Sequence, residues 1–220
     1  MPASALVHSC WFVSNCGRRS LAVMSAQAAH YVFVYGTLKT GEPNYAVMTD
    51  PANGSATLIG TAKTVKKWPL VIGSSYNIPY LLYCEGKGHN VSGEVYRIDD
   101  KMLAKLDDFE SHPKYYVRTE EDVELYQPNG SNKKQLKAWA YFLRNYREEM
   151  LQKPYLENYS SKGDHGLEYV PRYLRQAQDP KNLHIQQVLT SGDIAFQKQV
   201  GWHGLRANNA AAVLTARMHS

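Results

Sequence analysis

Cysteine is scarce in this chain of 220 residues: Cys10, Cys16 and Cys84 are all it has. Two of the three precede the first recognisable strand. That excludes a disulfide framework and points to a reducing compartment. No Cys/His pair has the spacing of a zinc site, and the eight histidines are scattered as surface or loop residues would be. No apolar run approaches the roughly 18–20 residues that cross a bilayer. Internal repeats, a phosphate-binding loop, a dinucleotide fingerprint and an EF-hand loop are all missing. A surplus of one charge is missing too, once the charge is located. The formal net charge is +5. Residues 1–30 hold Arg18 and Arg19 and no acid, and residues 176–220 hold four basic and two acidic side chains. The middle, 31–175, is left with 19 basic and 18 acidic residues. A nearly neutral body excludes the broad basic footprint of a phosphate-backbone binder.

What is present fits one packed domain with two extensions. Hydrophobic residues make up 44% and charged residues 20%, as in a globular protein. We expect a disordered extension over 1–29, a domain over 30–175 and a disordered tail over 176–220, with a marginal helix at Ala207–Arg217. The arginines of the first segment follow its apolar residues, which is the wrong order for a secretory signal. The chain is free of acid as far as Glu42. That leaves a mitochondrial transit peptide as the alternative to a cytoplasmic protein, and Met24 as an alternative start.

The domain opens on Tyr31–Tyr35, β-branched or aromatic throughout and so suited to a buried strand. It breaks at Gly36 and runs through Thr37, Gly41 and Pro43 to a helix-like patch at Asn44–Met48. A strand ending on glycine can present bare backbone N–H groups. It can equally be an ordinary strand-to-loop transition. Further strands are expected at Ser55–Lys67, Leu70–Gly73, Tyr80–Tyr83 and Val91–Ile98. Tyr76–Tyr80 is expected to be an extended loop and Gly86–Gly88 a turn. Asp99-Asp100 caps a helix that Pro113 stops. Tyr115–Tyr126 and Gln135–Leu143 then form a hairpin around Pro128-Asn129-Gly130-Ser131. From Arg144 to Arg175 a long segment lies over the surface.

The helix carries the residue of most interest. At 100° per residue, Met102, Leu103, Leu106 and Phe109 form one apolar arc. Glu110 falls inside that arc, and Asp107 lies at its edge. A glutamate there is paired, lines a cleft, or marks a frayed end that points to water. In a cleft, burial raises its pKa toward neutrality and suits it to move protons.

With Tyr35-Gly36-Thr37-Leu38 and Glu110 both in view, the chain resembles the γ-glutamylcyclotransferase-like superfamily. The resemblance rests on Val32–Lys39 with Gly41, Pro43 and Asn44; on Pro69–Ile72; on Asn77–Pro79 with Leu81-Leu82; on Gly93–Tyr96; and on Met102-Leu103 with Leu106–Ser111. It continues through Tyr116, Arg118, and His165–Leu167 with Tyr169 and Pro171. It implies an α+β fold: a small, mostly antiparallel, barrel-like sheet with packed helices. It also implies that Glu110 is the acid–base residue, and that Tyr35, Gly36, Thr37, Leu38 and Tyr116 bind substrate. Arg118 is expected to brace the helix end. The implied reaction cyclises a γ-glutamyl amine, releasing 5-oxoproline and the free amine. The nucleophile then belongs to the substrate, so no Ser or Cys nucleophile, metal or cofactor is called for. A small-molecule substrate, no nucleic-acid or membrane partner, and a monomer complete the expectation. The alternatives are an enzyme for γ-glutamyl amino acids or glutathione, and a non-catalytic binding module on the same fold.

Overall fold

The computed structural model describes residues 29–126, 134–179 and 183–190. Residues 1–28 of the extension expected over 1–29, the turn at 128–131 and the helix at 207–217 lie outside the described residues. The first strand, β1 (His30–Val34), pairs antiparallel with β5 (His89–Ile98). β5 pairs with β2 (Ala56–Trp68), β2 with β6 (Tyr116–Leu125), and β6 with β7 (Lys134–Leu143), all antiparallel. β7 returns to β1 as a parallel neighbour through Val32 and Trp139, which closes a five-stranded barrel. The mostly antiparallel barrel-like sheet is therefore present.

Period-2 alternation sorts the side chains between two cores. Phe33, Val91, Val95, Val123, Ala138, Ala140 and Phe142 pack together in one. Their neighbours in sequence, including Val32, Val34, Tyr96, Tyr141 and Leu143, pack in the other with Met102 and Leu106 of the long helix. Small residues are needed in the first core. A Cβ on Gly93 would stand 2.5 Å from the Val34 carbonyl oxygen and 2.6 Å from the Phe33 ring.

The long helix is α2 (Asp100–Phe109), following the short α1 (Ala46–Thr49). Asp99 caps it: one carboxylate oxygen accepts from the Met102 N–H (2.8 Å) and the other from the Ser55 N–H (3.0 Å). Its end differs from expectation. The helix stops at Phe109, ahead of Pro113. The His112 N–H bonds the Asp107 carbonyl (2.8 Å) and the Ser111 N–H the Asp108 carbonyl (3.1 Å). Ser111 has φ 55°. This is a Schellman closure with a serine where glycine is usual, and Glu110 is its C-cap.

β3 (Leu70–Gly73) and β4 (Ile78–Leu81) form a separate hairpin. The expected loop over Tyr76–Tyr80 is thus shorter, and the strand begins at Ile78. Pro79 is accommodated because it lies in a two-stranded sheet opposite Ile72. Ser74 and Asn77, both at positive φ, turn the chain between the strands.

The late segment, expected to lie over the surface, buries Met150, Tyr159 and Tyr169, and described structure continues past 175. Beyond residue 175, α3 (Arg172–Gln178) continues, and Leu183–Gln187 forms a 3₁₀ turn. Ile185, Val188 and Leu189 are buried in the core that holds α2. The Gln187 side chain accepts from the Ser75 N–H (2.7 Å), and the Arg147 N–H bonds the Val188 carbonyl (2.8 Å). A short apolar cluster in a polar stretch carries too little periodicity to announce this docking. Among the described residues no helix is long and apolar enough to cross a membrane.

Candidate active site

The turn after β1 and the end of α2 meet beside the β3–β4 hairpin. Gly36 is buried, and its role is close approach: a Cβ there would stand 3.0 Å from the Pro79 ring. The Pro79 carbonyl in turn accepts from the Tyr116 hydroxyl (3.3 Å). Within the turn, the Lys39 N–H bonds the Gly36 carbonyl and the Asn44 N–H bonds the Thr37 carbonyl. Among the described residues, no bond of the turn uses the N–H groups of Gly36, Thr37 or Leu38. The Asn44 side-chain amide donates to the Thr37 hydroxyl (2.8 Å) and to the Tyr169 hydroxyl (2.9 Å). Thr37 therefore accepts from Asn44 and keeps its own O–H free to donate. Leu38 is buried in the core, so of that residue only the backbone can face a ligand.

Glu110 does not point into open water. It is half-buried, and burial raises its carboxyl to about 7, with the Arg172 charge pulling weakly the other way. Arg172 is itself engaged on the helix end, donating to the Phe109 carbonyl (3.2 Å) with its guanidinium 4.3 Å from the Phe109 ring centre. The negative charge of Glu110 is felt by the hydroxyls of Tyr35, Tyr115, Tyr116 and Tyr141. For all four, burial is the larger cause and raises the phenol pKa. All four hydroxyls are therefore neutral, able to donate or accept but not to act as charged bases.

The tyrosines are held by one another. The Tyr115 hydroxyl donates to Tyr80 (2.9 Å), Tyr80 stacks on Tyr116 with ring centres 6.0 Å apart, and Tyr115 meets Tyr116 edge-on at 5.0 Å. Burial pushes Tyr80 up to about 12. The Tyr35 hydroxyl donates to the Tyr141 carbonyl (2.7 Å), and the Tyr141 hydroxyl to Asp107 (2.8 Å). Arg118 donates to the other Asp107 oxygen at 2.7 Å. Arg118 thus braces the turn of α2 that precedes Glu110.

The six residues singled out from sequence, Tyr35, Gly36, Thr37, Leu38, Glu110 and Tyr116, converge here. Tyr80, Tyr115 and Tyr141 were not singled out. The chain has 16 tyrosines, and only tertiary packing separates these three from the rest. Asn44 and Tyr169 entered as family matches without a role, and in the structure the Asn44 amide bonds Tyr169 directly and links it to Thr37. Among the described residues no group of three or more His, Cys, Asp or Glu side chains could hold a metal ion.

A small α+β barrel with a half-buried, near-neutral carboxyl whose charge is felt by buried tyrosine hydroxyls has the parts of a proton-transfer site. Comparison with known proteins is consistent with that class. The family "Gamma-glutamyl cyclotransferase, AIG2-like" matches residues 32–161. A Mus musculus γ-glutamylaminecyclotransferase is 46% identical over 144 residues, covering 64% of this chain and 97% of the relative. The Homo sapiens γ-glutamylaminecyclotransferase is 42% identical over 147 residues, covering 64% and 96%. The crystal structure of a Mus musculus AIG2-like protein superposes with a TM-score of 0.62 at 45% identity, covering 66% of this chain and 97% of that one. The chain belongs to the AIG2-like γ-glutamyl cyclotransferase family.

Proposed function

We propose that this protein is a γ-glutamylamine cyclotransferase: it closes the glutamyl part of a γ-glutamyl amine into 5-oxoproline and frees the amine. The observation that carries this reading is a half-buried Glu110 with its pKa raised to about 7, its charge felt by the Tyr35 hydroxyl next to the turn at Gly36–Leu38, whose N–H groups no bond of the turn uses. The name and identity of the relatives over nearly their whole length support it.

The chemistry is an internal displacement. The α-ammonium of the substrate gives a proton to the Glu110 carboxylate and becomes nucleophilic. Its nitrogen attacks the γ-carbonyl carbon, a C–N bond forms, and the carbonyl oxygen gains charge. Glu110 returns the proton to the departing nitrogen as the original amide C–N bond breaks. Across the cycle the α-nitrogen sheds two protons and the leaving nitrogen takes up two, so one carboxyl group serves both ends. A group with a pKa near the working pH does this best, and such catalysis typically contributes about 10²–10⁴-fold. The N–H groups of Gly36, Thr37 and Leu38 bind the developing oxyanion or the α-carboxylate. Tyr35 and Tyr116 shape the wall that holds the glutamyl chain in a ring-closing form, and such positioning is worth several kcal/mol. The partial exposure of Glu110 marks the side from which substrate arrives. The reading carries with it a monomeric, cytoplasmic protein that works on a small molecule and needs no nucleic-acid or membrane partner.

The test is direct. The purified protein is mixed separately with γ-glutamyl-ε-lysine, γ-glutamylalanine and glutathione, and 5-oxoproline is followed. Product from the first, well ahead of the others, is expected. No product from any of the three would overturn the enzyme reading.

A further inference from the structure

Lys39 closes the turn that follows β1, and its charged end is turned inward. Its N–H bonds the Gly36 carbonyl (3.2 Å). The residue is 8% exposed, and its Nζ donates to the Tyr159 carbonyl (2.6 Å) and to the Asn158 side-chain oxygen (2.8 Å). Reaching two acceptors at once takes a long side chain with several donors, which lysine supplies. The two carboxylates nearest in this network are engaged elsewhere. Glu94 accepts from the Thr40 N–H (2.8 Å) and the Tyr96 hydroxyl (2.8 Å), and Glu42 from the Ser161 N–H (2.9 Å). Without Lys39 the Tyr159 carbonyl would lose this donor, and an unpaired buried carbonyl is costly.

The acceptors stand on a fixed frame. The Leu156 N–H bonds the Leu70 carbonyl (2.8 Å) and the Ser92 N–H bonds the Glu157 carbonyl (2.7 Å), which fastens this segment to β3 and β5. The Tyr159 ring is fully buried in the barrel core. The turn is thus held at both ends: Gly36 lies against the Pro79 ring, and Lys39 is tied to Asn158 and Tyr159. Between them lie Thr37 and Leu38, whose N–H groups, like that of Gly36, no bond of the turn uses. Backbone donors stabilise a developing charge only when they are already aimed at it.

Resting on the cyclotransferase reading above, we infer that Lys39 is a positioning residue: by gripping Asn158 and Tyr159, its ammonium fixes the aim of the Gly36–Leu38 N–H groups at the reacting carbonyl oxygen. Lys39 itself touches no reacting atom. Its effect falls on ring closure, where the carbonyl oxygen gains charge, and leaves the proton carried by Glu110 alone.

The experiment follows 5-oxoproline from γ-glutamyl-ε-lysine with the full-length protein, at a temperature where circular dichroism shows every variant fully folded. Lys39→Met keeps the length of the side chain and removes its donors. Its kcat should fall roughly tenfold or more with KM within about threefold of wild type, and the apparent pKa of kcat/KM should stay in place. Lys39→Arg should recover part of the loss, since it again offers donors. Val123→Ala, which opens a cavity at a fully buried position of the barrel core, is the control for lost stability and should keep its kcat. A normal kcat in Lys39→Met would overturn the inference. An equal loss in Val123→Ala, no recovery in Lys39→Arg, or a loss carried by a shifted apparent pKa would do the same. If Lys39→Met does not fold, Asn158→Ala decides: its kcat should fall roughly two- to fivefold through the loss of one of the two bonds, and an unchanged kcat would overturn the inference. No 5-oxoproline from the wild type would overturn the cyclotransferase reading itself, a result distinct from an active wild type matched by Lys39→Met.

Discussion

Glu110 joins two properties that seldom occur together in one side chain. It caps a helix, where backbone geometry fixes its direction, and its carboxyl is desolvated. The second property has a thermodynamic sign that can be measured. The folded pKa is about 7 against an ordinary value of 4.5. Folding therefore favours the protonated form. Below about pH 4.5 both states hold the proton and nothing is lost. Between about pH 4.5 and 7 the unfolded chain releases it first, and stability falls. Above pH 7 the loss is complete, and at 1.36 kcal/mol per unit it amounts to at most about 3 kcal/mol. Glu110→Gln escapes this cost. Urea unfolding should find the variant more stable than wild type at pH 8 and nearly equal to it at pH 4.5. A difference independent of pH would show that the carboxyl is not desolvated in the folded protein.

At the scale of elements, the site is a meeting of three ends: the turn after β1, the C-terminus of α2, and β4. Pro79 joins the turn to Tyr116, whose N–H in turn bonds the Glu110 carbonyl (3.4 Å). The Pro79 ring faces Gly36, and its carbonyl takes the Tyr116 hydroxyl. In Gly36→Ala the added methyl would stand 3.0 Å from the Pro79 Cγ, so the ring or the turn must give by a few tenths of an ångström. Displacement on that scale misaims the backbone donors without breaking the fold. We expect kcat/KM to drop by roughly tenfold or more with a melting temperature only a few degrees lower. Full activity in this variant would show that the turn does not contact the reacting group.

Across the whole molecule, the last described segment is more than a tail. Ile185, Val188 and Leu189 are buried, and burying each such side chain is worth about 1.5–3 kcal/mol. A chain ending at Asn182 should therefore lose several kcal/mol in chemical unfolding, while a chain starting at Ala29 should keep both stability and turnover. If the shorter C-terminus cost nothing, the domain would end near 175 after all. The burial of Ile185, Val188 and Leu189 was not legible, because three apolar residues among polar ones have no period to read. Elsewhere the β-branched and aromatic run Tyr31–Tyr35, the strand at Val91–Ile98, the Asp99 cap and the apolar arc of α2 were legible, because local chemistry decides them. The position of Glu110 on that arc was legible for the same reason. Its surroundings were not: Tyr80, Tyr115 and Tyr141 come from separate strands and loops, and nothing in their own neighbourhoods marks them. The Schellman closure was hidden behind Pro113, the more obvious helix breaker, because a serine stands where a glycine would have announced it.

The central claim is that Glu110 moves the proton in ring closure. It is tested by the pH dependence of kcat/KM for γ-glutamyl-ε-lysine, followed as 5-oxoproline, in wild type and in Glu110→Gln. The account predicts a wild-type rate that rises with pH through an apparent pKa of about 7 and falls by roughly 10²-fold or more in the variant, which keeps its fold. A variant with near-normal turnover, or a wild-type rise centred near the ordinary glutamate value, would contradict it.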